Sequence, residues 1–146
     1  MRIVNKKALN NYHIIDHLEA GLVLTGAEVK SIRAGRLDLG ESYVRILNNE
    51  AYLVNAHIPK FAKAASQEDD PARSRKLLLH RNQINTLIGK TSGTGVTLIP
   101  VSLYDKNNQF KVEVGLAKSK KQFDKRRVIK EKDHNRRVEQ ELLGKE

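Results

Sequence analysis

The sequence predicts a mainly β protein with short helices, folded as a small closed antiparallel barrel that carries a flexible basic C-terminal tail. Three observations predict it. Short apolar runs alternate with polar residues at a period of two and are bounded by Asn, Asp, Gly and Pro, the pattern of half-buried strands. That alternation stops after residue 117, so 1–117 reads as a folded body and 118–146 as a tail. A chain of 146 residues holds one core rather than two, and closing several short strands on themselves removes exposed edges.

Taken in order, residues 12–18 read as a strand that ends near Gly21. Thr25-Gly26-Ala27-Glu28 has the spacing of a capping box, with threonine at the N-cap and Glu28 able to reach back to its N–H. Val29, Ile32 and Arg33 continue a helix of two turns that Gly35 stops. Residues 42–47 and 51–58, joined by Asn48-Asn49-Glu50, form a hairpin, because asparagine tolerates the positive φ of tight turns. The polar stretch 59–75, with Gln67-Glu68-Asp69-Asp70-Pro71, predicts a mobile loop. Leu77-Leu78-Leu79 suits a buried strand, followed by a helix over 81–88 that Gly89 ends. In the last hairpin Ile99, Val101 and Leu103 share one face of the first strand, and Phe110, Val112, Val114 and Leu116 one face of the second. Asp105-Lys106-Asn107-Asn108 makes its turn. The count is five or six strands and two or three helices.

Charge points to the partner. Lys plus Arg number 27 against 17 Asp plus Glu, a formal balance of +10. Such an excess favours a polyanion, since cations that meet phosphates release condensed counterions. With no cysteine, disulfides, Cys-based zinc sites and thiol nucleophiles are excluded. The N-terminal residues 1–7 lack the apolar run of a signal peptide, and no stretch reaches the roughly 18–20 apolar residues that span a bilayer. A cytoplasmic protein is the expectation.

No catalytic constellation emerges. Gly89-Lys90-Thr91 resembles the end of a phosphate-binding loop, but Ile84 stands where its first glycine belongs. His13, His17, His57, His80 and His134 show no metal-ligand spacing, and no Gly-x-Ser-x-Gly elbow presents a serine. The sequence therefore predicts a binding protein that is not an enzyme, with no metal, cofactor or small-molecule substrate.

The tail carries the strongest binding signal. Residues 118–127 hold six cations (Lys118, Lys120, Lys121, Lys125, Arg126, Arg127) and one acid, Asp124, around a lone Phe123. Cations neutralise phosphate, and an isolated aromatic offers a face on which an unpaired base stacks. Beyond Arg127 charges balance, and the large apolar residues are too sparse for a continuous stripe. An isolated helix of this length is marginal in water, so the tail is expected to be disordered when free and helical on its target. Asn5-Lys6-Lys7 adds a second basic cluster at the front.

The order of these pieces resembles the SmpB family, the SsrA-binding proteins of bacterial ribosome rescue. The resemblance runs through Asn5-Lys6-Lys7-Ala8, Tyr12 and Glu19-Ala20-Gly21, then Thr25-Gly26-Ala27-Glu28-Val29-Lys30-Ser31-Ile32-Arg33-Ala34-Gly35-Arg36. It continues in Asp70-Pro71 and Arg75-Lys76-Leu77-Leu78-Leu79, and ends in Ala117-Lys118-Ser119-Lys120-Lys121 and Asp124-Lys125-Arg126. It implies an oligonucleotide-binding (OB-fold-like) barrel that grips the tRNA-like domain of transfer-messenger RNA (tmRNA) as a single copy. It also implies a tail that enters the vacant mRNA channel near the decoding centre of the small ribosomal subunit. By position, Asn5, Glu19, Glu28 and Leu78 match family residues linked to RNA binding, with His80 beside them, although capping alone accounts for Glu28. Lys6, Lys7, Lys118, Lys120 and Lys121 would meet RNA. Phe123, Asp124, Lys125, Arg126 and Arg127 would meet the ribosome. Ser119 stands where glycine is usual in the family, and Phe123 where some members have histidine.

Overall fold

The computed structural model describes residues 1–59 and 70–120. Its elements are β1 (Arg2–Val4), α1 (Lys6–Asn11), β2 (Tyr12–Leu22), α2 (Gly26–Arg33), β3 (Tyr43–Leu47), β4 (Glu50–Val54), β5 (Arg75–Leu78), α3 (Arg81–Thr91), β6 (Thr97–Lys106) and β7 (Gln109–Ser119). The seven strands form one antiparallel sheet in the order β1-β6-β7-β2-β5-β4-β3.

The fold is mainly β with short helices, but the expected closed barrel is not what the ladder draws. Among the described residues no ladder joins the two end strands. The sheet nevertheless curls, so that β3 returns to within 8 Å (Cα–Cα) of β6. Inside the curl lie Leu53, Leu77, Leu103, Val112 and Val114, all essentially inaccessible, with Ile32 of α2 and Leu87 of α3 sealing the core. Each such side chain contributes about 1.5–3 kcal/mol by leaving water.

Local signals held where the physics is local. Thr25 and Glu28 exchange both bonds of the capping box, at 3.2 and 2.9 Å, and Gly35 follows α2 at φ 76°. Phe110, Val112, Val114 and Leu116 share the core face as their spacing requires.

Other elements differ from expectation. Both hairpin turns are two residues long, Asn48-Asn49 and Asn107-Asn108, so that Glu50, Asp105 and Lys106 belong to strands. α3 runs on to Thr91 through Gly89, because an exposed helical glycine weakens a helix without ending it. An irregularity between Pro100 and Ser102 breaks the alternation of β6. It turns Ile99 away from Leu103, onto Ala8 of α1 and Ala117. Here Val101 packs where a Cβ on Gly115 would come within 2.6 Å of it, so only glycine fits opposite.

β7 pairs with β2 as far as Ser119, opposite Tyr12, so Lys118 and Ser119 complete the sheet, two residues past the composition break. Of the loop predicted over 59–75, residues 60–69 lie outside the described residues. Residues 70–75 are held: Ile58 N–H donates to Pro71 O at 3.0 Å, and Arg75 opens β5 with its side chain fully buried. No helix of the described residues is long and apolar enough to cross a membrane.

Candidate nucleic-acid interface

β5 alternates, so Leu77 enters the core while Leu78 faces out at 55% exposure. The triple leucine is therefore not a strand buried on both faces. Leu78 stands opposite Gly21 of β2, and Gly21 stands opposite Lys111 of β7, which pairs with Tyr104 of β6 and so with Arg2 of β1. Directly opposed residues share a face, so Arg2, Tyr104, Lys111, Gly21 and Leu78 make one transverse row on the outside of the sheet. A Cβ on Gly21 would lie 3.1 Å from that of Leu78, so the glycine leaves the leucine its seat.

The outer face opens into a depression of about 1090 Å³, floored by β2, β5 and β7 and bounded by α2 and the first turn of α3. Glu19, Leu78 and His80 line it together, whereas Asn5 and Glu28 do not. Arg33, Lys76, Arg81 and Lys111 line it too. Lys76 is 3.2 Å from Glu50 and Arg33 is 3.5 Å from Asp105, whereas Arg81 forms no ion pair with another described residue and Lys111 acts on Glu19 only from beyond contact distance. The site thus offers cations for phosphate, an exposed leucine for an apolar contact, and two held acids, Glu19 and Glu50, the latter bonded by Tyr52 at 2.8 Å.

Glu19 is oriented by its neighbours. The Tyr104 O–H donates to Glu19 Oε2, and Lys106 Nζ lies 3.5 Å from Oε1. The Tyr104 bond, assisted by Lys106, holds the carboxyl below its ordinary range. Burial and the same carboxylate push the Tyr104 phenol up to about 12. Arg2 sits 4.4 Å over the Tyr104 ring and bonds Ser102 Oγ at 3.0 Å. A carboxylate fixed in this way is an acceptor for base or ribose donors and repels phosphate.

Asn5 and Glu28 sit elsewhere and face inward. Asn5 is buried: its Nδ2 donates to Leu39 O at 3.1 Å and Pro100 O at 2.9 Å, while Oδ1 accepts from Ala8 N–H as the N-cap of α1. It secures the helix that presents Lys6 and Lys7 to solvent, with Lys7 paired to Glu41. Glu28 spends both oxygens on Thr25 N–H, Arg73 (Nε to Oε2 at 3.1 Å) and the buried Arg75. In this fold both are tie points of the body.

Two of the cations expected to meet RNA, Lys118 and Lys120, lie near α1 at the other end of β2. Lys118 pairs with His13 in the ladder, and Lys120 Nζ donates to Leu9 O of α1 at 3.0 Å. From Tyr12 to Glu19 is roughly 23 Å by strand rise, so α1 and the depression are separate surfaces. Lys121, Phe123, Asp124, Lys125, Arg126 and Arg127 lie outside the described residues.

Sequence reasoning missed Tyr104, Lys111 and Arg81 as site residues. Period two did mark Lys111 as outward, since Phe110 and Val112 beside it face the core. Nothing local showed that β7 would carry it to Gly21.

The chain is similar to known proteins over most of its length. A family model described as SmpB protein matches residues 2–143. An SsrA-binding protein of Enterococcus faecalis is 51% identical over 138 residues, covering 94% of this chain and 90% of its own. One from Shouchella clausii is 50% identical over 138 residues, covering 94% and 88%. Among solved structures, a chain described under "tmRNA-SmpB: a journey to the center of the bacterial ribosome" superposes with a TM-score of 0.68 at 40% identity, covering 80% of this chain and 82% of its own. A match that spans nearly the whole chain, with half its residues unchanged in named relatives, places this protein in the SmpB family.

Proposed function

We propose that this chain binds the tRNA-like domain of tmRNA (SsrA RNA) and delivers it to stalled ribosomes, where trans-translation tags the unfinished peptide. The observation that carries this is membership of the SmpB family over residues 2–143, beside relatives named SsrA-binding protein. The depression supplies a matching surface, with Glu19 and Leu78 set among Arg81, Lys76 and Lys111.

In this reading the curled sheet acts as an oligonucleotide-binding-type barrel, in the cytoplasm, as a single copy and without catalysis. Asn5 and Glu28 serve RNA binding indirectly, by fixing α1 and α2. Lys6, Lys7, Lys118 and Lys120 form a second cationic face from which residues 121–146 lead into the mRNA channel. Phe123 stacks near the decoding centre, and Lys121, Lys125, Arg126 and Arg127 meet ribosomal RNA.

A gel-shift titration with the tRNA-like domain against excess ordinary tRNA at physiological salt tests the reading. Binding that survives competition supports it. Binding lost to competitor would reduce the charge balance to generic RNA affinity and favour a ribosome-associated protein that needs no tmRNA.

A further inference from the structure

Two tight turns meet at the depression. Asn48-Asn49 joins β3 to β4, Asn107-Asn108 joins β6 to β7, and all four residues lie at φ between 52° and 60°. A two-residue turn of this type needs left-handed backbone at both positions, and glycine suits the second one best because it lacks a Cβ. Asparagine is tolerated there chiefly when its side chain bonds nearby backbone. Asn55, at φ 63°, does so in part, since its amide donates to Glu41 O at 3.2 Å. The side chains of the four turn residues make no hydrogen bond to another described residue. Three of them, Asn48, Asn49 and Asn108, line the depression beside Glu19 and Leu78.

The cations at this site cannot tell RNA from DNA, because both carry the same phosphates. A primary amide can, since it presents a donor and an acceptor together, as does a ribose 2′-hydroxyl, and the shallow minor groove of an RNA helix displays both 2′-hydroxyls and base edges.

We propose that Asn49 and Asn108, supported by Asn48, form an amide clamp at the mouth of the depression that reads 2′-hydroxyls and minor-groove edges and so selects RNA over DNA. This rests on the reading of the depression as the RNA-binding face. The turns thus set amides that bond no other described residue at the edge of the depression, where a ligand can reach them.

The test uses the full-length chain with Asn49→Gly and Asn108→Gly combined, and Lys111→Gln as a second variant. Anisotropy titrations measure affinity for the tRNA-like domain made as RNA and as its DNA counterpart, over a range of salt. The double glycine variant is expected to lose about tenfold in RNA affinity, the effect of two neutral hydrogen bonds. Its DNA affinity and salt slope stay unchanged, because no charge is removed, and its unfolding midpoint holds because glycine fits both turns. Equal losses for RNA and DNA would overturn the 2′-hydroxyl role. If the double variant binds RNA like the parent while Lys111→Gln weakens both ligands and lowers the slope, the clamp falls and the RNA-binding face stands. If neither variant changes binding, the face itself is wrong and the clamp with it.

Discussion

Glu28→Gln removes one charge and almost no volume from the centre of the body. The cap of α2 survives, because a glutamine oxygen still accepts from Thr25 N–H. What disappears is the carboxylate set against Arg75, whose side chain is 0% exposed. Three carbonyls, of Ala56, Pro71 and Arg73, stay around that guanidinium at 2.7–3.0 Å. Its hydrogen bonds are thus partly kept while its charge loses the carboxylate in contact with it, leaving only the weaker attraction of Asp70. Breaking a buried pair from one side costs about 3–5 kcal/mol, and the retained carbonyls favour the lower figure. For a chain of this length that lowers the unfolding midpoint by about 10 °C. Urea and thermal unfolding followed by circular dichroism at pH 7 measure the loss.

Acid supplies an internal control for the same substitution. Burial pushes the Glu28 carboxyl up, but Arg73, the Thr25 N–H and Arg75 outweigh it, so the carboxyl lies below its ordinary value. A group lowered by folding contributes stability that is complete above its unfolded pKa, about 4.3, and is lost as pH falls through the folded value. The gap between parent and variant therefore closes below about pH 4. A loss under about 1 kcal/mol at pH 7, the range of an exposed pair, or a gap that persists in acid, would refute the compensation argument.

Tyr104→Phe removes the main donor to Glu19, so the carboxyl titration, followed by NMR, moves up toward the ordinary range and RNA affinity falls; an unmoved titration would show that Tyr104 does not orient the acid. Deleting residues 121–146 leaves β7 whole and is expected to preserve tRNA-like-domain binding while ending peptide tagging in a reconstituted translation assay. Loss of both activities would mean that body and tail do not divide the work.

Elements set by neighbours in sequence were legible in it. Thr25 and Glu28 are three residues apart, and both hairpins lie between clear alternations, so the cap and the hairpins could be read directly, though not the two-residue length of their turns. β1 and α1 could not. Asn5 earns its place through Leu39 and Pro100, 34 and 95 residues away, and appeared locally as one polar residue before two lysines. Arg75 looked like the end of a polar loop because its burial depends on a carboxylate 47 residues earlier. Leu78 was placed in the site by family resemblance, while its outward direction followed only once β5 was set against Gly21. Ile99 was misassigned because one irregularity in β6 reverses which face the next residue takes, an event that carries no compositional mark.

The seam where the ladder fails to close also bears on aggregation. An unpaired strand edge is a template on which another chain can add, and β3 carries exposed Tyr43 and Leu47. A strand entering between two others needs roughly twice the 4.8 Å interstrand spacing, yet β3 approaches β6 to within 8 Å. No backbone hydrogen bond joins β3 to β6 among the described residues, and their close approach leaves no room for a guest. The other free edge belongs to β1, which is three residues long and bears Arg2. A sheet can thus be left unclosed and still offer little for a second molecule to build upon.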